Sequence, residues 1–255
     1  MFKKHNLKLF LAGGLANLAL APFYYVFVLL FSFPYLIKKL QAATSANQAF
    51  WRGWWFGFGH FVFGLYWVCN SLLVDLSFAW LIPFAISLIP AVAAFFVAFA
   101  AYAYKKTNSL ILFAVAWVLA EIVRTYIPFN GFPWNLVGYA VLFSEQFAQI
   151  AAIGGVYLCS FIIILLALTP LYYKNKLALA ASVATLISGF VYGASAIKPT
   201  EYTNIKVALV QPAIPQQVKW EEGALQNNFE QTQKLAIQAA TNTDLVVWPE
   251  SAVPY

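Results

Sequence analysis

Charge is scarce in this sequence: 15 Lys and Arg with 9 Asp and Glu leave only 9% of the 255 residues charged, where a soluble domain carries about 25%. Hydrophobic residues make up 62% of the chain, more than a soluble fold can hide, so the chain belongs in a membrane. The same numbers exclude intrinsic disorder. Cysteine is almost absent. Cys69 and Cys159 lie inside apolar stretches without partner spacing, which excludes a disulfide scaffold and argues against a metal or redox pair; both read as small hydrophobes. His5 and His60 are isolated, and His60, between Gly59 and Phe61, reads as a satisfied interhelical residue. There is no internal repeat, no phosphate loop and no metal-ligand spacing, and no cofactor is expected. What is abundant is aromatic: 18% of the residues, nine of them Trp, as suits long boundaries at lipid headgroups.

The net charge of +6 is unevenly placed. Twelve Lys and Arg face three acids (Asp75, Glu121, Glu145) up to Lys198, whereas three Lys face six acids from Pro199 onward. The chain is therefore two bodies made for different solvents, divided as 1–198 and 199–255. A nucleic-acid face would cluster cations among polar neighbours, but these cations punctuate apolar runs. Nucleic acid is not an expected partner.

A bilayer crossing needs about 20 helical residues, and the runs 53–74, 79–104, 109–127, 148–173 and 177–196 qualify. The run 9–37 is too long for one crossing, Pro22 breaks it, and Lys3, Lys4 and Lys8 precede it while Lys38 and Lys39 follow. Because cytoplasmic segments carry the excess of Lys and Arg, both flanks are cytoplasmic only if this run crosses twice as two short helices. Seven crossings then leave only Arg124 and Lys198 outside among the twelve cations, and put everything after Lys198 on the external face. In a Gram-negative cell that is the periplasm. A cleaved signal peptide is the rival reading of the first 21 residues, with Ala19-Leu20-Ala21 as the site, but Pro22 suits the first mature position poorly.

The stretch between 127 and 148, with two Pro, two Gly and Trp134 among apolar side chains, is too broken for a spanning helix and too apolar for a free loop. It is either packed on the bundle or re-entrant and lining a lipid cavity. Glu121 and Arg124, at i and i+3 near the external end of the fifth span, are spaced to pair; they are either functional groups or a structural ion pair. Gly53 and Gly57 give a small-xxx-small spacing that permits close helix contact.

From residue 205 the pattern changes. IKVALVQP is a short β-rich run, a polar segment with Leu225, Phe229, Leu235 and Ile237 near helical spacing follows, and DLVVWPE is a second β-rich run. Strand, helix, strand reads as the opening βαβ unit of a helix-covered sheet, and two strands are too few to close a core, so the domain is expected to have only begun. Glu250 falls where the second strand ends, the position at which open α/β sheets carry ligands. Trp248 and Pro249 would surround its carboxylate with apolar surface, an environment that suits a general base.

Trp-Pro-Glu-Ser-Ala after a hydrophobic strand, preceded by VQPAIPQQVKWEEG, resembles the start of the carbon–nitrogen hydrolase (nitrilase-like) domain of bacterial apolipoprotein N-acyltransferases. The short first helices, GFPWNLVGY before the sixth span and an external segment after the seventh extend that resemblance over essentially the whole chain. It implies a polytopic α-helical membrane bundle followed by the start of an α/β nitrilase-like (α-β-β-α sandwich) domain, in the bacterial inner (cytoplasmic) membrane.

The resemblance also implies the chemistry. A fatty acyl chain passes from a phospholipid donor to a cysteine thioester and then to the α-amino group of a diacylglyceryl-cysteine apolipoprotein. The triad is Glu as base, Lys as oxyanion stabiliser and Cys as nucleophile. Glu250 matches the Glu, and Trp220 matches a tryptophan of the substrate region; Arg124, Glu121 and Trp134 are the other residues expected to bind substrate, with Arg124 placing an anionic headgroup at the external surface. The triad Lys and Cys are expected beyond Tyr255, and Cys69 and Cys159, in membrane spans, cannot replace the nucleophile, so these 255 residues alone are expected to be inactive. A non-catalytic lipid-binding or scaffold module derived from the same family is the alternative, and a soluble-type amidase is opposed by the seven spans. The charge ledger makes its own prediction. A reporter fused after Lys198 will be active only outside the cytoplasm and one fused after Lys106 only inside; two reporters on the same side would contradict seven crossings.

Overall fold

The computed structural model describes residues 4–127, 131–215, 218–219 and 221–250. Contacts divide the chain into two units, one of Met1–Cys69 with Trp80–Lys198 and the other of Asn70–Ala79 with Pro199–Tyr255.

The first unit is helical. α1 (Lys4–Ala16) and α2 (Leu29–Gln41) are joined by irregular and 3-10 segments around Pro22, so the long first run is indeed two short helices. Thirteen residues each make rods of about 20 Å, less than the roughly 30 Å of a hydrocarbon core. α3 (Ala46–Leu65) continues as a 3-10 helix over Tyr66–Leu73, and a second 3-10 stretch leads into α4 (Ile82–Thr107). α5 (Leu110–Tyr126), the four-residue α6 (Glu145–Ala148), α7 (Ala151–Ala167), the four-residue α8 (Thr169–Tyr172) and α9 (Lys176–Ala196) follow. Among the described residues three helical stretches, Ala46–Leu73, Leu76–Thr107 and Lys176–Ala196, are long and apolar enough to cross a membrane, and α5 and α7, of 17 residues each, are shorter than the runs expected there.

Side chains at the turns start the helices cleanly. Ser45, Ser109 and Asn175 accept the backbone N–H of Gln48, Leu112 and Ala178 at 3.1, 3.3 and 3.1 Å, satisfying donors that a helix start leaves open. The bundle is then zipped by small residues. Gly13 lies against the Phe56 carbonyl and Gly59 against the Phe10 carbonyl, while Gly53 and Gly57 meet α4 at Ala94, Val97 and Ala101. The expected glycine spacing in α3 therefore serves α4, and a second glycine pair serves α1. Where the backbones part, aromatic rings fill the space: Phe33 of α2, Phe56 of α3 and Trp117 of α5 meet with Phe33 to Trp117 at 5.0 Å, and Phe113 joins Trp117 to Tyr104. Phe31, Phe99, Ile111 and Leu119 point outward, as hydrocarbon-facing side chains do.

In the second unit, β1 (Val207–Leu209) pairs in parallel with β2 (Leu245–Val247), Ala208 opposite Val246, with α10 (Leu225–Ala240) between them in sequence. The βαβ order is as read. The covering face is not: Thr232 and Ala236 are buried, and Ile237 is exposed, because two three-residue strands offer little surface for a wider apolar stripe. Phe229 meets the Trp248 ring at 5.9 Å, and the Asp244 carboxylate accepts the Lys206 N–H at 2.8 Å.

Candidate functional site

The segment 131–138 runs into the bundle as irregular backbone, and Leu136 and Val137 at its inner end are buried. Irregular backbone that is buried has no water to satisfy it, so its polar groups must find partners in the protein. They do, almost one by one. Gly131 and Phe132 donate to the Thr125 carbonyl at 2.6 and 3.3 Å. The Arg124 guanidinium donates to the carbonyls of Trp134 at 2.7 Å and Phe132 at 3.5 Å. Asn135 presents its carbonyl to His60 Nε2 at 3.3 Å. Glu121 Oε1 accepts the Val137 N–H at 2.8 Å, and Ser160 Oγ accepts that of Gly138 at 2.8 Å. Gly131 (φ +94°) and Asn135 (φ +57°) take left-handed conformations that glycine and asparagine tolerate best.

A second layer holds the first. Glu121 Oε1 also accepts from Trp117 Nε1 at 3.1 Å, the Arg124 guanidinium lies 5.0 Å from the Phe61 ring centroid, and Tyr157 donates to Thr125 Oγ1 at 3.0 Å. Asn17 donates to the His60 carbonyl at 2.5 Å and faces His60 Nδ1 at 3.2 Å, while Asn135 Nδ2 donates to Asn17 Oδ1 at 2.9 Å. With Nδ1 facing an amide donor, the ring proton is assigned to Nε2. Gly64 makes room for this knot, since a Cβ there would overlap the Asn135 amide.

Above the knot lies a cleft of about 560 Å³, lined by Asn17, Phe63, Trp67, Trp134, Asn135 and Tyr139 among others. Trp67 and Trp134 meet edge to face at 5.1 Å on its wall, and Trp134 is 49% exposed. A mostly apolar groove with aromatic walls and a few amides at its base can take an acyl chain and orient a polar group beside it.

A sequence model of the apolipoprotein N-acyltransferase N-terminal domain matches residues 12–169. The chain belongs to the apolipoprotein N-acyltransferase family. Apolipoprotein N-acyltransferases of Rickettsia typhi, Rickettsia prowazekii and Brucella melitensis are 38, 37 and 34% identical to it over 96, 95 and 99% of its length. The chain spans about half the length of these curated relatives, 51, 51 and 52%. Every residue of the knot and its cleft lies within the stretch matched to the family's N-terminal domain.

Within this family member, the expected site residues fall into two groups. Glu121, Arg124 and Trp134 come together around the segment 131–138, but not as expected. No direct ion pair joins Glu121 and Arg124 among the described residues; each turns to a different part of the segment, Arg124 to the Trp134 carbonyl and Glu121 to the Val137 amide. Arg124 is 2% exposed, so its guanidinium faces two carbonyls and an aromatic ring and not the external surface. Glu250 lies in the other unit, in the turn after β2, and is exposed. Its backbone carbonyl accepts from Lys219 Nζ at 3.5 Å, and Trp248 turns to Phe229, so the apolar enclosure expected around the carboxylate is not formed. Trp220 lies outside the described residues. The residues that reading the sequence passed over are Asn17, Asn135 and Ser160; the signal for each was a lone polar side chain inside or beside an apolar run.

This geometry predicts the effect of removing one acceptor. Glu121→Met will leave the Val137 amide and the Trp117 indole without a partner, at a cost of about 1–3 kcal/mol for each buried group. Amide hydrogen exchange across residues 131–143 will then speed up while α3 and α4 stay protected. Unchanged exchange would mean that apolar packing alone holds the segment.

Proposed function

We propose that the chain is the membrane part and the first strands of the external part of an apolipoprotein N-acyltransferase, divided as 1–198 and 199–255, with the second part opening a nitrilase-like α-β-β-α sandwich. The observation that carries this reading is the family match over residues 12–169, which spans the knot, the segment 131–138 and the aromatic cleft. Seven crossings in the bacterial inner membrane, with the second part in the periplasm, are supported by the ten cations confined to one set of connections. The grouping of Asn70–Ala79 with the residues after Pro199 supports it too, since both segments fall on the external side of that topology.

In this reading the cleft receives the acyl chain of a phospholipid donor, with Trp134 against the lipid. Glu121 and Arg124 act through the segment they hold and are positioning residues. Glu250 is the base. It takes the proton of a cysteine thiol supplied by the remainder of the full-length protein, and the thiolate attacks the phospholipid ester carbonyl; the C–O bond breaks, the leaving oxygen takes that proton from Glu250, and a thioester and a lysophospholipid form. The α-amine of the diacylglyceryl-cysteine apolipoprotein then attacks the thioester, losing a proton as the C–S bond breaks and the thiol is restored. A cationic Lys beside the carbonyl would stabilise both oxyanions, and Trp220 would line the acceptor side.

In the full-length protein, Glu250→Gln keeps the shape of the side chain and removes its basicity. Thioester formation from phospholipid alone will slow by about 10² to 10⁴-fold with membrane insertion unchanged, and the 255-residue chain will form none. A wild-type rate in Glu250→Gln would make the glutamate structural.

A further inference from the structure

α9 packs closely on the bundle at one end only. Near its C-terminus Gly189 lies against the Phe147 ring and Ile150, and Gly193 against the Gln146 carbonyl; among the described residues these two glycines are the buried positions of the helix. Toward its N-terminus the helix stands away from α7, and the gap is bridged by Tyr172, whose hydroxyl donates to the Leu165 carbonyl at 2.7 Å and meets Ser182 Oγ at 3.1 Å. On either side of that bridge a groove opens between α7 and α9. One, of about 540 Å³, is lined by Leu110, Phe161, Leu165, Ala178 and Ala181, and the other, of about 380 Å³, by Phe27, Leu30, Ile163, Leu179 and Val183. Leu166 and Ser182 border both.

The open end of this wedge is basic. Lys174 follows Tyr172 by two residues and Lys176 begins α9, both exposed, and Lys105 and Lys106 immediately precede the turn to Ser109 and Leu110. No acid occurs between Glu145 and Glu201 or between Asp75 and Glu121, so nothing in these connections offsets the cations. Two apolar grooves side by side, bordered in sequence by cationic connections, match a diacyl lipid with an anionic head. Basic pockets between membrane helices bind such headgroups.

We propose that the wedge between α7 and α9 is a binding site for one anionic diacyl phospholipid, its chains in the two grooves and its phosphate at Lys174 and Lys176, distinct from the aromatic cleft. The site lies on the cytoplasmic leaflet in the topology proposed above, the face opposite to acyl transfer.

The test is native mass spectrometry of the whole chain released from nanodiscs of equal phosphatidylglycerol and phosphatidylcholine. The wild type will retain one phosphatidylglycerol in preference to phosphatidylcholine. Lys174→Gln with Lys176→Gln will weaken that retention by about fivefold per lysine, or about 25-fold together. Ala178→Phe with Ala181→Phe, which fills one groove from an accessible face, will abolish it with thermal unfolding in detergent still cooperative. Millimolar inorganic phosphate will not displace the lipid, because the chains carry the attachment; displacement by phosphate would reduce the site to a headgroup contact and overturn the proposal. Equal retention of both lipids, retention insensitive to the two Phe substitutions, or a wild type without lipid because a protein helix covers the wedge would each overturn it as well. The assay reads bound lipid, not transferred acyl groups or sidedness, so its failure leaves the acyltransferase reading standing.

Discussion

Hydrogen bonding of buried, non-helical backbone is the constraint on which this bundle turns. A helix satisfies its own N–H and C=O groups, but the stretch from Gly131 to Gly138 does not, and each unsatisfied group in hydrocarbon costs several kcal/mol. The chain answers with Glu121, Arg124, His60 and Ser160, drawn from α5, α3 and α7, and with the Thr125 carbonyl. Three elements are thereby fixed to one short segment. The buried carboxylate and guanidinium are worth their desolvation because each bonds to backbone that would otherwise be orphaned.

From that constraint the cleft follows. With the segment pinned on its inner side, Trp134 is held outward against Trp67, and Asn17 and Asn135 form a polar base below the aromatic wall. A second consequence is that close packing is placed where rigidity is needed. The glycine contacts bind α1, α3 and α4 around the knot, whereas α9 meets the rest through two glycines at one end and a tyrosine bridge at the other. The bundle is thus tight beneath the cleft and open on the side of the basic connections.

Much of the bundle was legible because hydrocarbon thickness and charge placement act on the sequence directly. The break at Pro22, three of the five longer runs as helices long enough to cross among the described residues, and the small-residue face of α3 all come from period and composition; the other two runs hold helices of 17 residues. The βαβ unit was legible for the same reason, and even there the buried face of α10 depended on what the strands could cover. The knot was not legible in detail. Asn17 and Asn135 are 118 positions apart, and the partner of Glu121 is a backbone N–H 16 residues away, which no side-chain spacing reveals. The i, i+3 relation of Glu121 and Arg124 named the right residues and the wrong partners, since spacing on a helix says who is near and not who is more in need. Glu250 was found by its place at a strand end, but its surroundings depend on tertiary neighbours that the strand pattern does not specify.

The central claim is that the pinned segment shapes a lipid-receiving cleft, and photocrosslinking tests it most directly. A phospholipid with a photoactivatable group near the end of one acyl chain is incorporated into membranes containing the chain, irradiated, and the labelled peptides mapped. The account predicts label concentrated in Phe63–Trp67 and Trp134–Leu142, and lost from both when Arg124→Met releases the segment. Label spread evenly over outward residues such as Phe31, Phe99 and Leu119, with no enrichment at the cleft, would contradict it.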